Sequence, residues 1–290
     1  MGIPVLHPAW TRPANGMTDG YSLEMTAKDR PALYEVANAI APETPVAITF
    51  LPNETMDARI EAAIGLRALG FEPMPHLSAR RIASREELAQ MVARTTAEAG
   101  VRRVFLVAGD PPVPAGPFAD TMSLIDTGLF EQHGIQAIGI AGHPEGHPAM
   151  DEAARWEALA TKHAAITERG MATLIVTQFA FDAAPILAWL AELRARGIDC
   201  PVRIGVPGPA GIKTLLRYAA HCGVGASATV MAKYGISLGR LLGSAGPDRL
   251  VADFERGLTP AHGAVRLHFY PFGGLARTVE WINNYRAGSR

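Results

Sequence analysis

Residues 102–112 read RRVFLVAGDPP. Four apolar, β-prone residues run into a glycine, a carboxylate and two prolines without any alternation of polar side chains. A strand that is apolar on both faces suits a parallel sheet covered on both sides. Proline cannot continue a central strand, so the run stops near Asp110. A surface turn would explain one such ending, but similar polar endings recur along the chain.

The other runs are YSLEMTA (21–27), PVAITFL (45–51), FEPMPHL (71–77), AIGIAGHP (137–144), ATLIVTQF (172–179), PVRIGVPG (201–208) and AVRLHFYPF (264–272). Between them lie RIEAAIGLRAL (59–69), REELAQMVARTTAEAG (85–100) and AARWEALATKHAAITERG (153–170). Their apolar residues recur at i, i+3 and i+4, and Gly100 and Gly170 stand where C-terminal caps belong. Strand and helix alternating through the chain predict an α/β protein, a (β/α)8 TIM barrel forming a single catalytic domain over residues 1–290. An open doubly wound sheet is the rival, but no Gly-x-Gly-x-x-Gly loop follows the first run. Residues 223–262 must hold more helix than one regular unit.

Composition narrows the partners. The chain has 290 residues, 48% of them hydrophobic and 19% charged, with a net charge of −1. Lys and Arg are scattered, so no nucleic-acid stripe is expected. The start, MGIPVLHPAW, lacks the basic and long apolar regions of a secretory leader, and no run is long enough for a membrane helix. A cytoplasmic protein is the expectation. Cys200 and Cys222 have no metal-ligand spacing and read as ordinary buried or half-buried thiols. The exposed helices of a barrel make a homo-oligomer compatible with the sequence, without any decisive interface.

Barrel active sites lie where strands meet their following loops. Those ends carry Glu24, Thr49, His76, Asp110, His143 with Glu145 and His147, Gln178, and Tyr270. Glu24 interrupts an apolar run, where an unpartnered charge would be costly. One reading pairs it structurally with a neighbouring Arg or His; the other keeps it protonated as a general acid. Glu24 and Asp110 would then be two carboxyl groups with divided roles. His143 and His147, with Glu145 and His76, offer metal-type donors, but Pro144 and Gly146 favour a loop over a helix, so no metal is assigned. A barrel hydrolase or lyase built on the His143/Glu145/His147 cluster, with or without metal, is one reading. Arg80 and Arg81 either meet an anion or lie on a solvated face. Of the aromatic set Phe179, Phe181, Phe269, Tyr270 and Phe272, alternate members should be core and the rest pocket wall.

Taken in order, LEM (23–25), PHLSA (75–79), AGDPP (108–112), IAGHPEGHP (140–148), VTQFAFD (176–182) and LHFY (267–270) resemble the methylenetetrahydrofolate reductase family, in its short form without a regulatory domain. The resemblance implies a (β/α)8 barrel that reduces 5,10-methylenetetrahydrofolate with NADH or NADPH, usually through FAD. It makes Glu24 the acid for ring opening, Asp110 the stabiliser of the iminium, and Gln178 a reader of the pterin edge. Phe181, Tyr270 and Arg277 fall on the folate side. Thr49, His76, Ala108, Gly109, Asp110, His143, Glu145 and His147 fall on the cofactor side. The departures cluster there too: Ala108 replaces a common arginine, His143 a tyrosine, and only Lys162 and Arg169 remain near the flavin diphosphate position. Arg277 is displaced from the basic residue that follows the family's eighth strand. Flavin-free hydride transfer from the nicotinamide is therefore the alternative to bound FAD, and a non-catalytic folate or nucleotide binder is the alternative to a reductase.

Overall fold

The computed structural model describes residues 16–52, 54–225 and 244–288. The opening MGIPVLHPAW, and residues 226–243 of the segment expected to hold extra helix, lie outside them. Eight parallel strands close a barrel in the order β1-β10-β7-β6-β5-β4-β3-β2. They are β1 (Ser22–Met25), β2 (Pro45–Ile48), β3 (Glu72–Ser78), β4 (Arg103–Val107), β5 (Ala137–Gly142), β6 (Ala172–Phe179), β7 (Val202–Pro207) and β10 (Val265–Tyr270). Between the last two, β8 (Ala210–Gly211) and β9 (Ser244–Ala245) form a small antiparallel ribbon. The expected (β/α)8 architecture is thus the observed one, with every predicted strand run in its wall.

Helices α1 (Arg30–Val36), α2 (Met56–Ala68), α3 (Arg85–Ala99), α4 (Thr121–Ile125), α5 (Leu129–Gln132), α6 (Glu152–Glu168), α7 (Ala183–Ala195), α8 (Ile212–Cys222), α9 (Asp248–Gly257) and α10 (Leu275–Gly288) surround it. Their starts follow local chemistry. Thr55, Ser84, Asp151 and Asp182 each accept a backbone N–H from the first turn of α2, α3, α6 and α7. Such a cap supplies a partner for an otherwise orphaned donor and stabilises by about 1 kcal/mol. Gly100 ends α3 in the left-handed conformation at φ 58°, as its position suggested.

The wall separates two apolar regions. Outward residues such as Val46, Val104, Leu106, Ile138, Ile140 and Ile175 pack under the helices in the main core. Inward residues Ala47, Met74, Phe105, Leu174 and Val176 fill the barrel itself. Phe105 reaches across to Gly139, where a Cβ would lie 2.4 Å from its ring. That absent side chain lets one phenyl group plug the interior. Above the plug the inward side chains become polar, and there the barrel opens. Cys200 and Cys222 are free and half-buried, as expected. Among the described residues, no helix is long and apolar enough to cross a membrane.

Candidate active site at the barrel mouth

Period-two alternation along β1 sends Ser22 and Glu24 inward. Glu24 Oε2 lies 3.6 Å from His268 Nε2 and 3.9 Å from His76 Nε2. His76 rests against Phe105 at 4.6 Å between ring centroids. Burial drives its imidazole down to about 4, against the pull of the Glu24 charge, so the ring is neutral at pH 7. His268 is 1% exposed, and its Nδ1 is 2.8 Å from Ser22 Oγ. Tyr270 stands edge-on to His268 at 4.8 Å and donates its hydroxyl to the Thr177 carbonyl at 3.0 Å. Burial, then the charge of Glu24, pushes this phenol well above its usual value. The structure therefore brings Glu24, His76 and Tyr270 together.

Gln178 and Thr49 complete the upper ring. Thr177 fixes the end of β6: its Oγ1 accepts from Gly205 N and donates to the Gln178 carbonyl, both at 2.9 Å. Gln178 turns its own Oε1 onto Phe179 N at 3.1 Å and lines a small cavity with Glu145 and Cys222. Thr49 Oγ1 donates to the Met25 carbonyl at 3.1 Å, tying β2 to β1 just beyond Glu24.

Asp110 occupies the rim. Gly109 precedes it at φ 97°, and a Cβ there would sit 2.1 Å from Ser78 Oγ, so this turn demands glycine. Arg80 clamps the loop. Its N–H donates to the Ala108 carbonyl, its carbonyl accepts from Ala115 N, and its guanidinium donates to the carbonyls of Ala119 and Pro111. The Arg80 guanidinium is thus partly taken up by backbone carbonyls. Arg81 instead meets an acid: its Nη2 is 3.6 Å from Asp110 Oδ2, and Asp110 remains 90% exposed. The corner where Ala108 offers no cation thus has an arginine from the end of β3. Both Glu24 and Asp110 act on the Cys222 thiol, which burial and then these two charges push up.

After β5 the chain turns as Pro144 and Gly146 suggested, with Gly146 N donating to the His143 carbonyl at 3.3 Å. The His143 and His147 rings meet at 4.8 Å. Burial, with His147, Lys162 and Arg155 nearby, drives His143 down to about 4. Desolvation, with Asp182 adding, raises Glu145 to about 7 although much of it faces solvent. Among the described residues, no three His, Cys, Asp or Glu side chains converge to hold a metal.

A cavity of about 530 Å³ opens beside His143, between α6 and α7. Trp156 and Trp189 stack within it at 5.7 Å and 12°, and Arg155, Lys162 and Glu192 line it. Sequence reasoning named Lys162 as a cation for a cofactor but missed the cavity around it, because Trp156 and Leu159 read as ordinary helix core. It also missed Ser22 and His268, each two residues before a named site residue and hence on the same inner face. Two folate-side assignments need correction or relocation. Phe181 is 1% exposed and packs edge-on to Phe179 in the core, so it is not a pocket wall. Arg277 stands exposed in the first turn of α10.

The neutral histidines make stability fall in acid. Above about pH 6.5 they are uncharged whether folded or not, and the fold keeps its full stability. As pH drops below 6.5 the unfolded chain gains protons that folded His76 and His143 refuse until about pH 4. By pH 5 each should cost roughly 2 kcal/mol. Glu145 works the other way between its ordinary value of 4.5 and about 7, more weakly because solvent screens it. Urea midpoints at pH 7.5 and pH 5 should therefore differ, and His143→Gln should narrow the gap. An unchanged gap in that variant would remove His143 as a cause.

The fold and this ring define a (β/α)8 barrel whose polar side chains gather at the strand C-termini, where a carboxyl group lies between two imidazoles. Sequence comparison then places it: the chain belongs to the methylenetetrahydrofolate reductase family, whose profile matches residues 32–238. It is 27% identical over 186 residues to methylenetetrahydrofolate reductase (NADH) 1 of Arabidopsis thaliana, covering 59% of this chain and 31% of that one. It is 30% identical over 135 residues to a probable methylenetetrahydrofolate reductase (NADH) of Oryza sativa subsp. japonica, covering 42% and 23%. The matches thus span about a third or less of these curated relatives. Among solved structures, a Clostridium thermocellum protein that binds two copies of 5-methyl-5,6,7,8-tetrahydrofolic acid superposes with a TM-score of 0.62 at 12% identity, covering 95% of each chain. Dihydropteroate synthase from Thermus thermophilus gives 0.50 at 13% identity, covering 92% and 93%. These two likenesses establish the fold.

Proposed function

We propose that this protein interconverts 5,10-methylenetetrahydrofolate and 5-methyltetrahydrofolate with a reduced nicotinamide as hydride donor. The observation that carries the reading is Glu24, held between His76 and His268 at the mouth of a barrel of this family. The methylene bridge is a poor hydride acceptor while it is bonded to both nitrogens. Glu24 gives its proton to N10; the carbon–N10 bond breaks with its electron pair to N10, leaving an iminium at N5. Asp110, exposed at the rim, stabilises that positive charge. Gln178 meets the pterin edge, and Tyr270 and Thr49 border the bound ring system.

The cavity between α6 and α7 is the place proposed for a dinucleotide cofactor. Trp189, the more exposed of its two stacked indoles, would border an adenine, and Lys162 and Arg155 would offer cations to a diphosphate. The cavity meets the mouth through His143, which also lines the small cavity holding Gln178 and Cys222. These features suit a dinucleotide, either FAD or NAD(P)H. When bound, the nicotinamide, directly or through FAD, supplies a hydride to the methylene carbon. The Clostridium thermocellum barrel's binding of 5-methyl-5,6,7,8-tetrahydrofolic acid and the NADH named in the plant relatives are in keeping with this reading.

The test combines an absorbance spectrum of purified protein, after loading with FAD and removing the excess, with NADH oxidation in the presence of methylenetetrahydrofolate. Turnover with a retained flavin band supports the FAD route. Turnover by colourless protein supports direct transfer. Absence of turnover with both NADH and NADPH, with or without FAD, overturns the proposal and favours a folate or nucleotide binder.

A further inference from the structure

We infer that His268 is a positioning residue for Glu24, held by Ser22 in the tautomer whose Nε2 lone pair accepts a hydrogen bond from the protonated carboxyl group. The inference rests on the acid role proposed above. Ser22 and His268 are register partners across β1 and β10, and both are buried. A serine hydroxyl has one hydrogen to give. Directed at the Leu267 carbonyl, 3.4 Å away, that of Ser22 would leave Oγ to accept from His268 Nδ1–H at 2.8 Å, and we take this arrangement over the one in which Ser22 donates to Nδ1. A neutral imidazole protonated at Nδ1 carries its lone pair on Nε2, the atom 3.6 Å from Glu24 Oε2. An acceptor in that place favours the protonated carboxyl; the opposite tautomer would donate to the carboxylate and favour ionisation.

The present separation exceeds a hydrogen bond and closes by a few tenths of an ångström, as catalytic contacts commonly do on binding. Tyr270 stabilises the arrangement. Its ring stands edge-on to His268, and its hydroxyl is committed to Thr177, so it does not compete for Glu24. Among the described residues, the other titratable groups facing Glu24 are His76 from β3, the Tyr270 phenol and the Cys222 thiol at the end of α8. Asp110, from the loop after β4, adds its charge at Cys222. No proton passes through His268; Glu24 is recharged by solvent.

Nitrogen NMR of imidazole-labelled protein at pH 7, without substrate, reads the tautomer directly. Protonated Nδ1 and bare Nε2 at His268 are expected, and Ser22→Ala should shift the population towards protonated Nε2. In turnover, His268→Leu should lower kcat about tenfold, leave the folate KM within twofold, and move the alkaline limb of the kcat profile down by about one pH unit. His268→Gln, whose Oε1 reaches the Nε2 position as an acceptor, should restore most of the rate and the limb. Protonated Nε2 in the wild-type protein, or an unmoved limb in His268→Leu, overturns the inference. The tautomer needs no turnover to be observed, so failure of the proposed reaction is seen separately, as an inactive wild-type protein. If His268→Leu does not fold, Ser22→Ala, which removes one oxygen, carries both measurements.

Discussion

Glu24→Gln should fold, bind folate with a dissociation constant within a few-fold of wild type, and lose at least a hundredfold in kcat. General acids contribute about 10²- to 10⁴-fold, and glutamine keeps the size of the side chain while losing the transferable proton. Its amide still reaches towards His268 and His76, so the ring around it has no reason to collapse. The loss should fall on kcat and not on binding, because the proton is needed only once the substrate is in place. Steady-state NADH oxidation, folate titration by calorimetry and a melting curve together separate these effects. A rate within threefold of wild type would take Glu24 out of the mechanism. A much lower melting temperature would instead return it to a structural carboxylate.

Asp110→Asn should act differently, weakening folate binding and slowing turnover together, each by about tenfold. A fixed negative charge beside a developing iminium helps the transition state and, less strongly, the bound ground state. The magnitude is held down by exposure, since solvent screens a carboxylate that is 90% accessible. Arg81 tempers it further by sharing that charge at 3.6 Å. The variant should therefore be compared with Arg81→Met, which strips the counter-charge and should leave folate binding unchanged or slightly tighter. If Asp110→Asn alters neither kcat nor KM, AGDPP is only a turn held by Arg80.

Most of the scaffold was legible because each strand run obeyed one rule at a time. RRVFLV, AIGIAG and ATLIVTQF are apolar on both faces, and a closed parallel barrel is where such strands are buried on both sides. Glu24, His76 and Tyr270 were legible because polar residues at the ends of such runs have few other places to go. What failed to show was anything requiring two distant strands in register. Ser22 and His268 meet only because β1 closes against β10, 246 positions away. Arg81 beside Asp110 depends on the lateral pairing of β3 with β4, which spacing alone does not encode. Phe181 misled because alternation after Phe179 is lost: the strand ends there, and its next residues fold back into the core. The cavity beside Trp156 and Trp189 is a gap between two helices, and the same residues would have served a filled interface.

The phenyl plug beneath Glu24 orders events in the proposed reaction. Phe105 and its inward neighbours fill the barrel from below, so a proton bound for Glu24 comes from the side of the mouth. In that reaction a folate lying across the mouth would cover the same route. The carboxyl group would then regain its proton only after product has left.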